Sequence, residues 1–410
     1  MTKYAGPIVI TGMGAVSPFG LGVEAIWSAL ERGERQATTV RPGEQPVWGL
    51  EVGEWHPADL LGKRGLQYLR PSSQFLLGAS LLALQSAGLA SGDLPPDELG
   101  ITVGCNLGGA QSFLDYDYTA ITEGPYTTSP MEAPNTLANA PASHLAIRLK
   151  ARALNTTIAS GQCAGLDALG YAMKMLRNGR AQQTVVGGVE ELSPIALSAY
   201  CDAKVVAGGE KEDAGLPFDT ESTGWLPGEG AAVVILERQA DAVARGARPL
   251  AELAGWSSAF APSQTLEKRS SVLRRTALQA LAAANLSPTD VDVVVAGANG
   301  LPVGDRAEAL AIEDLFAPQT QVLVTAMKGI LGETYGASGL FQALAAVCMI
   351  DYGIVPLTVE RERQCRVGPP VYGLSTEARL WDGSKRGTTL LLTQDLFGST
   401  SAVVIRGCER

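Results

Sequence analysis

The chemically reactive side chains of this chain are few. Two histidines, His56 and His144, and six cysteines, at 105, 163, 201, 348, 365 and 408, are spread over 410 residues. No two cysteines form a C-x-x-C pair, so no metal site and no cofactor are expected. The spacing suits reduced, mostly buried thiols and hence a cytoplasmic protein. Cys163 has the one suggestive setting. It lies in Ser160-Gly161-Gln162-Cys163-Ala164-Gly165, a Gly-bounded turn between the run NTTIAS and the helix-patterned LDALGYAMKMLRNG. A helix start lowers a thiol pKa and offers backbone N–H donors to an oxyanion. Its neighbour Gln162 has no such use, because a neutral carboxamide is not a nucleophile at neutral pH. One step along a helix turns a side chain by about 100°, so Cys163 is expected to pack inward.

The elements that position this turn follow from hydrophobic pattern. PIVITGMGAV, LGITVGCN and AQQTVVGGVE read as buried strands closed by Gly. Residues 73–88 are apolar nearly all round and predict a buried helix. The stretch from about 40 to 65, with Pro and Trp, reads as an irregular surface excursion. Residues 154–188 form strand, Gly-rich turn, helix and strand, a βαβ unit. From about Pro249 the plan repeats: a strand at PLAELAGW, the helix SSVLRRTALQALAAANL, a strand at VDVVVAGANG, the helix DRAEALAIEDLF, a strand at QVLVTAMKG, the buried helix SGLFQALAAVCMIDYG and a terminal hairpin. Two similar βαβαβ halves, residues 1–248 and 249–410, imply a helix layer between two sheets in one rigid α/β body.

Composition narrows the partners. Hydrophobic residues make up 46% and charged residues 18%, with a net charge of −10. That suits a large core and a surface partly covered by another subunit, and it excludes general electrostatic binding of nucleic acid. No uninterrupted apolar run nears the ~18 residues of a membrane span. MTKYAGPIVITGMGAV is broken by Gly and lacks a small-residue cleavage site, so it reads as a first strand rather than a signal sequence.

Several motifs resemble the β-ketoacyl synthases: VITGMGAVSP near the start, PFDTESTGWLPGEGAAVVILE at 217–237, GDRAEA at 304–309 and the segment at Lys328. The resemblance runs over essentially the whole chain and implies a thiolase-like αβαβα layered fold. Active members carry their nucleophile in a T-A-C-x-x-G turn, and Gln162 stands at that cysteine. They carry one histidine in A-H-G-T-x-T-P; aligned from Pro302-Val303-Gly304-Asp305, that position is Gly297. The second histidine follows the family lysine by five residues, and here Glu333 follows Lys328. The resemblance therefore implies that no catalytic residue is left, with Asp305, Glu308 and Lys328 kept as a scaffold ion-pair network.

The run G-Q-C-A-G-L-D-A-L is similar to the chain-length-factor branch of type II polyketide synthases, in which Gln takes the nucleophile position. That implies a subunit that makes no bonds itself. It pairs with an active ketosynthase, meets acyl carrier protein mainly through that partner, and limits chain length by the shape of an acyl tunnel. Around Gly108–Tyr118 the resemblance implies an interface helix. Ala110, Phe113, Leu114 and Asp117 share one face by i, i+3, i+4, i+7 spacing. They are read either as the end of the tunnel or as plain dimer packing. A Gly-Phe-Gly-Gly gate of active members is here Asp395-Leu396-Phe397-Gly398-Ser399, and loss of Gly before Phe397 restricts the backbone of a gate-like loop. Alone, the chain is expected to be poorly soluble or self-associated. The alternatives are a malonyl-carrier decarboxylating, chain-initiating subunit and an active condensing enzyme using Cys163. The Arg64–Arg70 segment and the Asp115/Asp117 pair point toward a reduced, polyene-type product rather than an aromatic one.

Overall fold

In a computed structural model, the chain is described at all residues except 1–3, 5, 42–46, 54, 91–94, 264, 318–321, 360–372, 382–386 and 409–410. Cys365 lies outside the described residues; Cys105, Cys163, Cys201 and Cys348 are free thiols.

The first half contributes strands β1 (Ile8–Ser17), β2 (Leu99–Gly104), β3 (Leu154–Ile158), β4 (Gln183–Glu190) and β5 (Gly230–Arg238). The second contributes β6 (Ala251–Phe260), β7 (Val293–Val295), β8 (Leu323–Thr325), β9 (Thr388–Gln394) and β10 (Ser399–Gly407). Their order is β8-β7-β9-β10-β6-β1-β5-β4-β2-β3. Each half therefore has the same plan. The strand second in sequence pairs in parallel with the third and fourth, and the fourth, fifth and first continue antiparallel. Strands with a parallel neighbour are buried on both faces, and β4 and β9 are buried along nearly their whole length around central Val and Leu residues.

The two sheets expected from the sequence are joined. β1 and β6 pair through Ile8–Leu253, Val9–Glu252 and Ile10–Ala251, so the halves make one continuous sheet. Pairing satisfies two strand edges that would otherwise lie open.

Helices complete the layers. α1 (Pro71–Ser86) and α3 (Ala140–Leu149) cover the outer face of the first half, while α5 (Leu266–Ala283) and α6 (Pro302–Phe316) cover that of the second. Between the halves lie α4 (Ala164–Arg177) and α7 (Ser338–Tyr352), packed in one core with strands of both. An inner helix has no solvent side, which is why SGLFQALAAVCM is buried at every position. The remaining long helix, α2 (Ala110–Thr122), is different: Ser112 is its one buried residue.

The excursion at about 40–65 holds more order than its composition suggests. Thr38–Arg41 pairs with Val47–Gly49, and Pro57–Leu61 forms a short helix. Among the described residues no helix is long and apolar enough to cross a membrane.

Candidate functional site

The Gln162 turn sits where β3 ends and α4 begins. Gly161–Cys163 makes one 3-10 turn, with Gly161 at φ +63° in the left-handed region that favours glycine. Gln162 is 3% exposed. Its side-chain Nε2 donates to Glu333 Oε2 at 2.6 Å. The same oxygen accepts from Asn299 Nδ2 at 2.7 Å and from Lys328 Nζ at 2.8 Å. Glu333 Oε1 accepts from Ser338 Oγ at 2.5 Å and from the Tyr335 N–H at 2.9 Å. Loops after β3, β7 and β8 thus meet at one buried carboxylate.

Burial alone would push the Glu333 carboxyl up. The Lys328 charge, with hydrogen bonds from Lys328, Ser338 and Asn299, outweighs it and holds the group below the usual carboxylate range. Both members of this ion pair are buried, at 4% and 1% side-chain exposure. The centre is therefore a buried polar network gathered on one carboxylate, and the described residues around it include no imidazole.

The expected network of Asp305, Glu308 and Lys328 takes another form. Lys328 pairs with Glu333. Asp305 instead collects three backbone N–H groups, from Phe218 at 2.7 Å, Gly300 at 2.9 Å and Asn299 at 3.0 Å. Burial raises it to about 6 despite those bonds. Glu308 Oε1 accepts from the Gly297 N–H at 2.8 Å, and Oε2 has no hydrogen-bond partner among the described residues. Burial pushes this carboxyl up to about 8, so it is mostly neutral at pH 7. The physical reason is topological. Both acids lie on α6 beneath the 297–300 loop, whose N–H groups need acceptors, whereas Glu333 is the carboxylate within reach of the ammonium.

Gly297 lies against β9, where an added Cβ would sit 2.8 Å from the Leu392 carbonyl oxygen and 2.9 Å from Thr393 Cα. The side chain of that loop that reaches Glu333 belongs to Asn299, two residues on. Sequence reasoning missed Asn299, although a lone carboxamide in AGANGLP was its signal. It also missed Asn106, whose side chain pairs with the Gly161 peptide: Oδ1 accepts from Gly161 N at 2.9 Å and Nδ2 donates to Gly161 O at 3.1 Å. Glu190 holds Asn106 in turn, accepting from its N–H at 2.6 Å and from that of Leu107 at 3.0 Å. Burial raises the Glu190 carboxyl to about 7. Beside the network, Tyr335 adopts φ +48° and packs its ring on Tyr200 and Trp225, with centroids 5.7 and 6.4 Å away.

Cys163 is fully buried, with Sγ 3.9 Å from the Thr393 carbonyl oxygen, and burial with the charges of Asp167 and Asp395 pushes its thiol far up. Neither histidine is near: His56 precedes a short helix, and His144 bonds Asn135 at 2.9 Å. Phe397 is exposed on the β9–β10 loop, whose backbone is gripped by Arg269. That guanidinium donates to the Asp395 carbonyl at 2.7 Å, the Leu396 carbonyl at 3.3 Å and Gln394 Oε1 at 3.1 Å.

Ala110, Phe113, Leu114 and Asp117 do lie together on α2. Phe113 and Leu114 are 60% and 45% exposed; Tyr118 and Ile121 extend the same stripe at 67% and 76%. Asp117 is exposed and Ala110 half-buried. Among the described residues nothing covers the stripe. Tyr126, Met131 and Leu137 continue the apolar surface beyond the helix.

Comparison with known proteins agrees with this architecture. The chain is 31% identical, over 97% of its length and 98% of the relative's, to the actinorhodin polyketide putative beta-ketoacyl synthase 2 of Streptomyces coelicolor. Its fold is similar to the ishigamide ketosynthase/chain length factor, with a TM-score of 0.87 at 24% identity, covering 98% of this chain and 100% of the other. It is similar too to a chain in the complex of a type II polyketide synthase acyl-carrier protein with its hexaketide-bound ketosynthase, at 0.83 and 24%, with the same coverage. Residues 5–242 match the β-ketoacyl synthase N-terminal domain and residues 250–362 the C-terminal domain, so the chain belongs to the β-ketoacyl synthase family.

Proposed function

We propose that this chain is the non-catalytic member of a type II polyketide synthase ketosynthase pair, which shapes the acyl tunnel and so limits product length. One observation carries the reading: the residue at the nucleophile position, Gln162, is hydrogen-bonded to the residue at a histidine position, Glu333. A carboxamide held by a carboxylate cannot form a thioester. The relative named a beta-ketoacyl synthase 2 and the fold shared with a ketosynthase/chain length factor support the same reading.

The α2 stripe is the face for the partner. An unpartnered apolar surface of this extent marks a protein interface, and Phe113 with Leu114 stands where the interface helix is expected. The active ketosynthase would carry the growing chain on its own cysteine, and the acyl carrier protein would deliver extender units to that subunit. This chain would contribute wall. Elongation stops when another unit overpacks the tunnel. A decarboxylating role would need donors free to stabilise an enolate, and the donors around Gln162 are already engaged.

The test is mass spectrometry on the heterodimer after loading with an acyl donor. The acyl group is expected on the partner's cysteine and nowhere on this chain. Acylation of Cys163 with product formation would overturn the reading.

A further inference from the structure

Two backbone N–H groups converge on one carboxylate beside the Gln162 turn. Asp395 Oδ1 accepts from the Phe397 N–H at 2.8 Å. Asp395 Oδ2 accepts from the Gln162 N–H in a longer bond of 3.4 Å. Asp395 is 3% exposed. Burial pushes its carboxyl up, opposed by the N–H groups of Phe397, Gln162 and Leu396 and by the Arg269 charge. The turn is shaped around it: a Cβ on Gly161 would lie 2.0 Å from Oδ2.

Backbone N–H donors beside the reacting centre, one of them on the residue that would hold the attacking atom, are how acyl transfer stabilises a tetrahedral oxyanion, and here each of the two meets a different oxygen of one carboxylate. Here the oxygens at those donors belong to the protein. We propose that Asp395 is a built-in occupant of the chain's acyl-oxyanion site. Inactivity is then set twice. Gln162 removes the nucleophile, and Asp395 removes the stabilisation that a restored nucleophile would need. A thioester carbonyl oxygen would have to displace a carboxylate, and charge developing on it would meet another negative charge in a buried site. Arg269, bonded to the Asp395 and Leu396 carbonyls and to the Gln394 side chain, holds the blocking loop in place. This inference rests on the reading of Gln162 as the vacated nucleophile position.

The experiment restores the nucleophile with and without the block. Full-length Gln162→Cys is compared with Gln162→Cys/Asp395→Ala, using S-acetyl-N-acetylcysteamine as acyl donor and iodoacetamide as alkylating agent. In acylation the introduced thiolate attacks the thioester carbonyl carbon. A new C–S bond forms, the old one breaks, and N-acetylcysteamine leaves as a thiolate that takes a proton from water. Alkylation is a displacement at saturated carbon that generates no carbonyl oxyanion, so it reports thiolate fraction and access alone. Opening the site is expected to raise acylation about 10²-fold more than alkylation, the scale of one oxyanion donor. Equal acceleration of both reactions, or none, would refute the block. Should the alanine variant fail to fold, Asp395→Ser shortens the side chain out of reach of the Gln162 N–H while keeping a local acceptor for the Phe397 N–H, and it carries the same comparison, with at least a ~10-fold selective gain expected. Wild-type chain acylated at Cys163 would instead defeat the passive-subunit reading, which is a separate outcome.

Discussion

Gln162 Nε2 lies 2.6 Å from Glu333 Oε2, so two positions where the family resemblance places a thiol and an imidazole are bonded to each other. The two residues are not independent. Each supplies what the other lacks: a donor for the carboxylate and an acceptor for the amide. Lys328 and Asn299 complete the set, and three loops are joined at one buried carboxylate.

That junction predicts a strong stability effect. Glu333→Gln leaves the Lys328 ammonium buried without its counter-charge. Denaturant unfolding should show a loss of 3–5 kcal/mol, the usual cost of breaking a buried pair from one side. Adding Lys328→Met should recover much of it. A loss under about 1 kcal/mol would mean that the pair is not buried as described.

Gly161→Ala should also destabilise, by about 2 kcal/mol or more, because φ +63° is strained for alanine and its Cβ would collide with Asp395 Oδ2. Asp395→Ala removes the collision but not the backbone strain. A double-mutant cycle should therefore give a favourable coupling between the two substitutions. Strict additivity would place Asp395 elsewhere.

The buried acids set a pH dependence. Glu308 is raised to about 8 when folded, so the folded state holds a proton that the unfolded state releases near pH 4.5. Stability from this group is full below that pH and is lost as pH rises toward and through 8. Between pH 6 and 7 the loss is on the order of 1 kcal/mol. Glu308→Gln abolishes this term, so its unfolding free energy should fall less steeply over the same interval. Glu190 and Glu229, each raised to about 7 by burial, slope the same way in both proteins.

At the α2 face, Phe113→Asp and Ile121→Asp should each abolish copurification with the ketosynthase while leaving the melting temperature of this chain within a few degrees, because both residues are exposed here. Phe113→Gly separates the two roles of the stripe. If its ring ends the tunnel, the heterodimer makes longer products; if the stripe is packing alone, product length stays constant and only affinity falls.

Cys163 should resist thiol reagents in the folded protein, being fully buried with its thiol pKa pushed up. Half-buried Cys201 and Cys408 should react before it, as judged by peptide mapping. Rapid modification of Cys163 without unfolding would reopen it as a nucleophile.

Much of this protein is written locally. Apolar runs closed by glycine specify β1, β2 and β4, and helices apolar on every side, such as 338–352, announce an interior layer because no other place suits them. The Gln162 substitution is equally legible, since side-chain chemistry alone forbids attack. What the sequence leaves open are relationships between residues far apart in the chain. Whether Lys328 pairs with Glu308 or Glu333 depends on which carboxylate the loops bring within 3 Å. Pattern does not show that Asn299 rather than Gly297 reaches the network, that β1 and β6 zip two sheets into one, or that Asp395 lies 233 residues from Gln162 yet against its N–H. Hydrophobic periodicity is a property of neighbours, whereas hydrogen-bond partners and charge pairs are chosen by close packing of segments that meet only in the folded chain.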